Sequence, residues 1–406
     1  MKKTGNKPQV KQKKRLNTKG YVFLTILLAF VIAISVWILS NFREDESTHP
    51  FQGRTTEEET TSTSILPTVE TCIAESDTTT CTIPEEVAAL NISLFNDVRC
   101  SQGVLIHADS GEIVDGLLEN QRGYPASLTK MMTAIVAIEN LPDLDDTYTL
   151  TLEISDAIYG HDLSIAGYEV DETLTYYDYL CGCLMRSGAE CCLALADGVC
   201  GKDTIAESED VFVDLMNEKA EQLGLTNTHF ENCTGEHDDN HYSTPYDMAR
   251  ILAYCLKNDT FREIIEYKSY TTTATEKFPD GHFYYSTIYY ATPDMSEYED
   301  LFQFIGGKTG YTDDSGQCLA SASIVNGQTY VLVTFGATNF ENAGTRHLGV
   351  KDMLQIMSQF SEALGNKITT TETTAETAES SEVSATSDSF ESSETSDVTS
   401  TEPSAE

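Results

Sequence analysis

Two hydroxyls and two amines carry the chemistry that this sequence offers. Ser127 and Lys130 stand three residues apart behind Pro125, within Tyr124-Pro125-Ala126-Ser127-Leu128-Thr129-Lys130-Met131-Met132. On a helix beginning near Ala126 or Ser127, residues three apart share a face, which brings the amine to the hydroxyl. Serine attacks poorly until a neighbour accepts its proton, and lysine accepts one only as the neutral amine. Bringing a lysine from about 10.4 to near 7 takes about 4 kcal/mol, a shift that burial and a second cation supply. Lys308 is the candidate for that second cation. Gly306 and Gly307 before it and Gly310 after it predict a strand that a substrate approaches closely. The plainer reading of Ser127 alone is a helix N-cap, and of Lys308 alone a solvated strand-end lysine.

The pattern along the chain decides between these readings. Ser127-Leu128-Thr129-Lys130, Ser187-Gly188-Ala189 and Lys308-Thr309-Gly310 follow the order of the three motifs of penicillin-recognising serine enzymes. Around them, Pro125 to Ala134, Leu163-Ser164-Ile165-Ala166-Gly167-Tyr168, His241 to Ala249 and Gly307 to Thr312 resemble the serine-type D-alanyl-D-alanine carboxypeptidases, the low-molecular-weight penicillin-binding proteins. The resemblance runs from about residue 88 to 362. It implies Ser127 as nucleophile and Lys130 as base, with Ser187 passing a proton to the leaving amine. It implies an oxyanion hole from the backbone N–H groups of Ser127 and Tyr311. Lys308, Thr309, Gly310 and Tyr311 would bind substrate. Arg346 lies where the family often keeps a carboxylate-binding arginine, though a surface arginine near the last helix fits equally.

The implied substrate is the peptidoglycan stem peptide, trimmed of its terminal D-alanine through an acyl-enzyme on Ser127. β-Lactams would acylate the same serine, and neither a cofactor nor a metal is implied. One position departs from the family: Ala189 stands where an asparagine normally grips the substrate and orients the lysine. Each missing contact costs about 1–3 kcal/mol. That departure motivates a second reading, a weakened wall-binding protein that keeps the cleft. A β-lactamase fits less well, because no separate deacylating glutamate motif is visible. Glu190, next in sequence, reads most simply as an acid at a helix N-terminus.

The elements that must position these residues are legible in outline. The fold class expected is α/β, in α+β layers: a β-lactamase/transpeptidase-like fold with an antiparallel sheet flanked by helices. Residues 103–107 and 112–115 predict a hairpin about the turn Asp109-Ser110-Gly111, and 317–325 and 328–336 a second about Asn326-Gly327, a type I′ signal. Helical spacing covers residues 174–185, 190–199, 210–223 and 244–256, while Leu128, Met131, Met132, Ile135 and Val136 predict an apolar stripe on the helix that Pro125 opens.

Outside this region the composition changes. Residues 1–20 hold 8 of the 25 basic residues and no acid, and 21–40 hold no charge, which predicts a basic cytoplasmic segment and a transmembrane anchor. A cleaved signal peptide is the alternative, but Ile38-Leu39-Ser40-Asn41-Phe42 offers no small-x-small cleavage site. Residues 41–87 read as a disordered Thr/Ser/Glu-rich stalk, 88–366 as the catalytic domain and 367–406 as a disordered acidic tail. The protein is therefore expected in the cell membrane, single-pass, with the catalytic domain outside the cytoplasm. With 8 of the 25 basic residues in residues 1–20, the chain from Tyr21 onward sets 17 bases against 65 acids, a balance of −48 that excludes a nucleic-acid partner.

Eleven cysteines in an exported chain predict disulfides, with at least one thiol left over. Cys72 and Cys81 would close a small loop; Cys181, Cys183, Cys191, Cys192 and Cys200 read as buried thiols rather than a zinc site. His229, His237, His241 and Asp238 read as exposed side chains of a structural loop rather than as metal ligands.

Overall fold

The computed structural model describes residues 82–292, 294–338 and 348–366. The anchor, most of the stalk, the tail, Cys72, Cys81 and Arg346 lie outside the described residues. In chain order the helices are α1 (Glu85–Ala88), α2 (Lys130–Asn140), α3 (Leu152–Ile158), α4 (Tyr176–Arg186), α5 (Ala189–Cys200), α6 (Ile205–Gln222), α7 (Pro245–Cys255), α8 (Asp259–Glu266), α9 (Thr287–Ala291) and α10 (Leu348–Ala363). The strands are β1 (Gln102–His107), β2 (Ile113–Leu117), β3 (Thr147–Thr149), β4 (Thr173–Thr175), β5 (Ser269–Thr271), β6 (Phe283–Tyr285), β7 (Gln303–Thr312), β8 (Gly316–Val325) and β9 (Gln328–Ala337).

Five of these strands form one antiparallel sheet in the order β2-β1-β9-β8-β7. The β8–β9 hairpin turns on Asn326 and Gly327, both at positive φ (50° and 77°), as the type I′ geometry requires. The period of two then sorts side chains onto the two faces. Val104 and Ile106 of β1, Ala320 and Ala322 of β8 and Val331 and Val333 of β9 join the core with Met131, Leu180, Leu195, Phe212 and Ile251. Leu105, Leu319, Tyr330 and Leu332 face the other way, against Met353, Ile356, Met357 and Phe360 of α10. The sheet is thus buried on both sides, with the helices of the catalytic motifs on one of them.

Several element boundaries differ from the sequence expectation, each for a local reason. Leu174 lies in β4, and α4 begins two residues later because Thr175 and Asp178 form a reciprocal capping box. Helix α6 starts at Ile205 rather than 210, since the Thr204 side chain accepts the Glu207 N–H. Residues 126–129 form a 3₁₀ turn, and the α-helix proper begins at Lys130.

Helix α10 is pinned to the chain entering β1. The buried Asp352 carboxylate accepts the N–H of Arg99 at 3.0 Å and of Cys100 at 2.8 Å, and the Arg99 guanidinium at 3.0 Å. Asp352→Ala would strand these donors, at about 3 kcal/mol once the partial exposure of Arg99 is allowed for. A fall in Tm of about 6–12 °C is expected in thermal unfolding by circular dichroism; a shift below about 2 °C would contradict this account of the pin.

The nine described cysteines are all free thiols, so the disulfides expected of an exported chain do not form among the described residues. Helical packing explains it. Cys181, Cys183, Cys191 and Cys192 fill the interior between helices and are fully buried, as small apolar side chains would be. The Sγ atoms of Cys183 and Cys192 lie 3.6 Å apart, in hydrogen-bond contact.

Candidate active site

The 3₁₀ turn before α2 brings the first pair together. Lys130 Nζ donates to Ser127 Oγ at 3.2 Å and also to the Thr234 carbonyl. Lys130 is 1% exposed, so its amine points inward from the helix start while Ser127 stays half-buried. Ala126 is held at φ 49°. Residue Gly235 explains how the turn is supported: a Cβ there would lie 2.1 Å from the Ala126 carbonyl oxygen, so the 232–236 loop packs backbone against backbone. Asn232 organises that loop, its Oδ1 accepting the N–H groups of Thr234 (3.2 Å), Gly235 (2.7 Å) and Glu236 (3.2 Å).

The second pair joins β7 to the end of α4. Lys308 Nζ of β7 donates to Ser187 Oγ at 3.0 Å and to its neighbour's carbonyl, Thr309 O, at 2.8 Å. Burial, and after it the charge of Lys130, holds the Lys308 amine down at about 7. Lys308, expected as the cation that lowers its neighbour, is itself a lowered amine, because it is buried at 1% exposure rather than solvated at a strand end. Ser187 ends α4 in the left-handed region (φ 62°, ψ 30°), which turns its hydroxyl back toward β7.

The glycines around Lys308 serve a different purpose from the one expected. A Cβ on Gly306 would lie 2.1 Å from the Ile265 carbonyl oxygen and one on Gly307 2.0 Å from that of Ala320, so this space is taken by the protein's own backbone. At Gly310 the Cβ would meet Ser127 N at 3.1 Å. That contact sets the third motif directly beside the first.

Sequence reasoning missed four contributors. Thr234 reaches Lys130 through a carbonyl, which no residue type signals. Thr287, at the start of α9, places its Oγ1 3.2 Å from Thr309 Oγ1. His241 is buried, not exposed, and its Nδ1 accepts the Glu231 N–H at 3.2 Å. Nε2 therefore carries the proton and meets Thr129 Oγ1 at 2.8 Å, which steadies the turn between Ser127 and Lys130. Burial holds His241 down at about 4, so it stays neutral. Asn232 is the fourth; its Asn-x-Thr-Gly context was a turn signal. His229 and His237 are partly exposed, as expected of that loop. Among the described residues no group of three or more His, Cys, Asp or Glu is placed to hold a metal.

Glu190 also departs from expectation. It is 1% exposed, its Oε1 accepts the Gly167 N–H at 2.8 Å, and burial pushes its carboxyl up. It is no solvated helix-end charge. Ala189 beside it is fully buried, its N–H donating to the Ser164 carbonyl at 2.9 Å.

By its fold the chain stands with the transpeptidase-like α/β proteins: the structure of the Streptomyces K15 DD-transpeptidase matches with a TM-score of 0.58 at 27% identity, over 66% of this chain and 98% of that one. Within that class the sequence is more specific. Residues 88–339 match the peptidase S11 family, D-alanyl-D-alanine carboxypeptidase, and the chain belongs to that family. It is 30% identical over 249 residues to the D-alanyl-D-alanine carboxypeptidase DacF of Bacillus subtilis, covering 59% of this chain and 58% of DacF. It is 32% identical over 221 residues to the D-alanyl-D-alanine carboxypeptidase of Streptomyces K15, covering 54% of this chain and 74% of that protein. The DacA carboxypeptidase of Haemophilus influenzae is 30% identical over 256 residues, 62% of this chain and 60% of DacA.

Proposed function

We propose that the protein is a serine D-alanyl-D-alanine carboxypeptidase that trims the terminal D-alanine of peptidoglycan stem peptides through an acyl-enzyme on Ser127. The observation that carries this reading is the Lys130 Nζ to Ser127 Oγ contact of 3.2 Å, with Lys308 and Ser187 paired at 3.0 Å. In this reading Lys130 takes the Ser127 proton as Oγ attacks the penultimate carbonyl carbon. The N–H groups of Ser127 and Tyr311 hold the oxyanion, a placement supported by Gly310 lying against Ser127 N. As the C–N bond breaks, Ser187 passes a proton to the departing D-alanine, and a water molecule then hydrolyses the ester. Charged Lys308 and the Thr309 hydroxyl, with Thr287 beside it, receive the substrate's terminal carboxylate. Arg346 is a further candidate for that carboxylate. The charge pattern of residues 1–40 supports a single-pass anchor, with this domain outside the cytoplasm.

A fluorescent penicillin applied to fractionated cells tests the reading. A labelled band in the membrane pellet for the wild type, absent for Ser127→Ala, is expected, together with D-alanine release from a D-Ala-D-Ala peptide. Absence of a Ser127-dependent adduct would sink the proposal, and a labelled band in the soluble fraction would remove the anchor.

Ala189 favours a second reading, a wall-binding protein of low turnover. Lys130 Nζ has acceptors in Ser127 and Thr234, and an asparagine amide at 189 is the contact the family adds. Ala189→Asn is expected to raise penicillin acylation about tenfold, the worth of one hydrogen bond. An unchanged rate would show that this site does not use the amide.

A further inference from the structure

We propose that Glu190 is a positioning residue: its buried side chain seats the 164–168 loop on the Ser187-Gly188-Ala189 turn and thereby holds Ser187 against Lys308. The inference deepens the carboxypeptidase reading and rests on it for its effect on rate. Three contacts join loop and turn. Gly167 donates its N–H to Glu190 Oε1 at 2.8 Å. The Ala189 N–H donates to Ser164 O at 2.9 Å. Ala166 presses on Gly188 so closely that a Cβ there would stand 3.0 Å from both its N and its Cβ. The far end of the loop is fixed to α4, where Tyr168 donates its hydroxyl proton to the Asp178 carbonyl at 2.9 Å.

The cost of this arrangement argues that it serves a purpose. An acid can favour a helix N-terminus from solvent, yet Glu190 is 1% exposed, and burying a carboxyl costs free energy that its hydrogen bonds must offset. What burial gains is the loop. Ser187, directly before the clamped residues, holds a left-handed conformation at φ 62° that a non-glycine residue keeps only when its surroundings over-determine it. Where the family places a polar side chain at the third position of this motif, the chain has Ala189. The turn is therefore held from outside, by the loop that Glu190 anchors. If the loop loosens, Ser187 relaxes toward more common angles and its 3.0 Å contact with Lys308 lengthens.

Glutamine keeps the acceptor oxygen that Gly167 uses, and alanine does not. In the full-length protein, Glu190→Ala is expected to speed amide hydrogen exchange across residues 164–168 about tenfold or more, while Glu190→Gln stays near wild type. Acylation by fluorescent penicillin is expected to slow about tenfold in Glu190→Ala, with the final labelled fraction unchanged, and to stay within about threefold in Glu190→Gln. Unchanged exchange in Glu190→Ala, or equal losses in both variants, would overturn the proposal. So would a reduced labelled fraction at wild-type rate, which marks a purely structural role. Should the wild type itself fail to label, the carboxypeptidase reading falls, and the exchange measurement still decides whether Glu190 seats the loop.

Discussion

Lys130→Met is expected to slow labelling of Ser127 by fluorescent penicillin about a thousandfold, the middle of the range of about 10²–10⁴ for general base catalysis. Methionine matches the length of the lysine stem and is apolar, so the buried site keeps its volume. The change removes only the amine that donates to Ser127 Oγ and to Thr234 O. The stranded Thr234 carbonyl costs about 1–3 kcal/mol of stability, offset by no longer burying a polar amine. Thermal unfolding should therefore shift little while the rate collapses. A loss of less than about tenfold, in a variant that still melts cooperatively, would take the base role away from Lys130.

The second large effect is pH dependence through Lys308, whose amine is lowered from 10.5 to about 7. Below about 7 it is charged and able to bind a carboxylate; above, it is neutral. The value kcat/KM reports groups of the free enzyme, so for a D-Ala-D-Ala peptide it is expected to fall as pH rises through about 7. In Lys308→Met this alkaline limb should vanish, with kcat/KM reduced about 10²-fold by loss of a charge-assisted contact. The stability effect has the opposite sign. Between about 7 and 10.5 the unfolded chain binds the proton that the folded one has released, so stability rises with pH across that window. Lys308→Met should flatten this rise in pH-dependent chemical denaturation. An alkaline limb that persists in Lys308→Met would assign the titration to another group.

Which parts of the site were legible follows from where the information lies. Ser127, Lys130, Ser187 and Lys308 announce themselves by type, order and spacing, and the structure pairs Ser127 with Lys130 and Ser187 with Lys308. The Asn326-Gly327 hairpin is equally local, since a turn at two positive φ values leaves few residue choices. Thr234 and Thr287 escaped because their partners are distant, 104 residues from Lys130 and 22 from Thr309, and one acts through a carbonyl that every residue carries. The helix start at Pro125 looked continuous from its apolar stripe. Periodicity reports the face of a helix, not the pitch of its first turn, so the 3₁₀ segment before Lys130 was invisible. Glu190 was misread for a similar reason: a sequence shows an acid at a helix N-terminus but not the loop that closes over it.

The left-handed Ser187 carries a cost of its own. At φ 62° and ψ 30° a serine gives up about 1 kcal/mol relative to the glycine that such a helix end usually selects. Glycine would relieve the strain and delete the hydroxyl that meets Lys308. This single position therefore sets thermal robustness against the contact between Ser187 and Lys308, and any selection of the protein for heat resistance alone would drift toward discarding that hydroxyl.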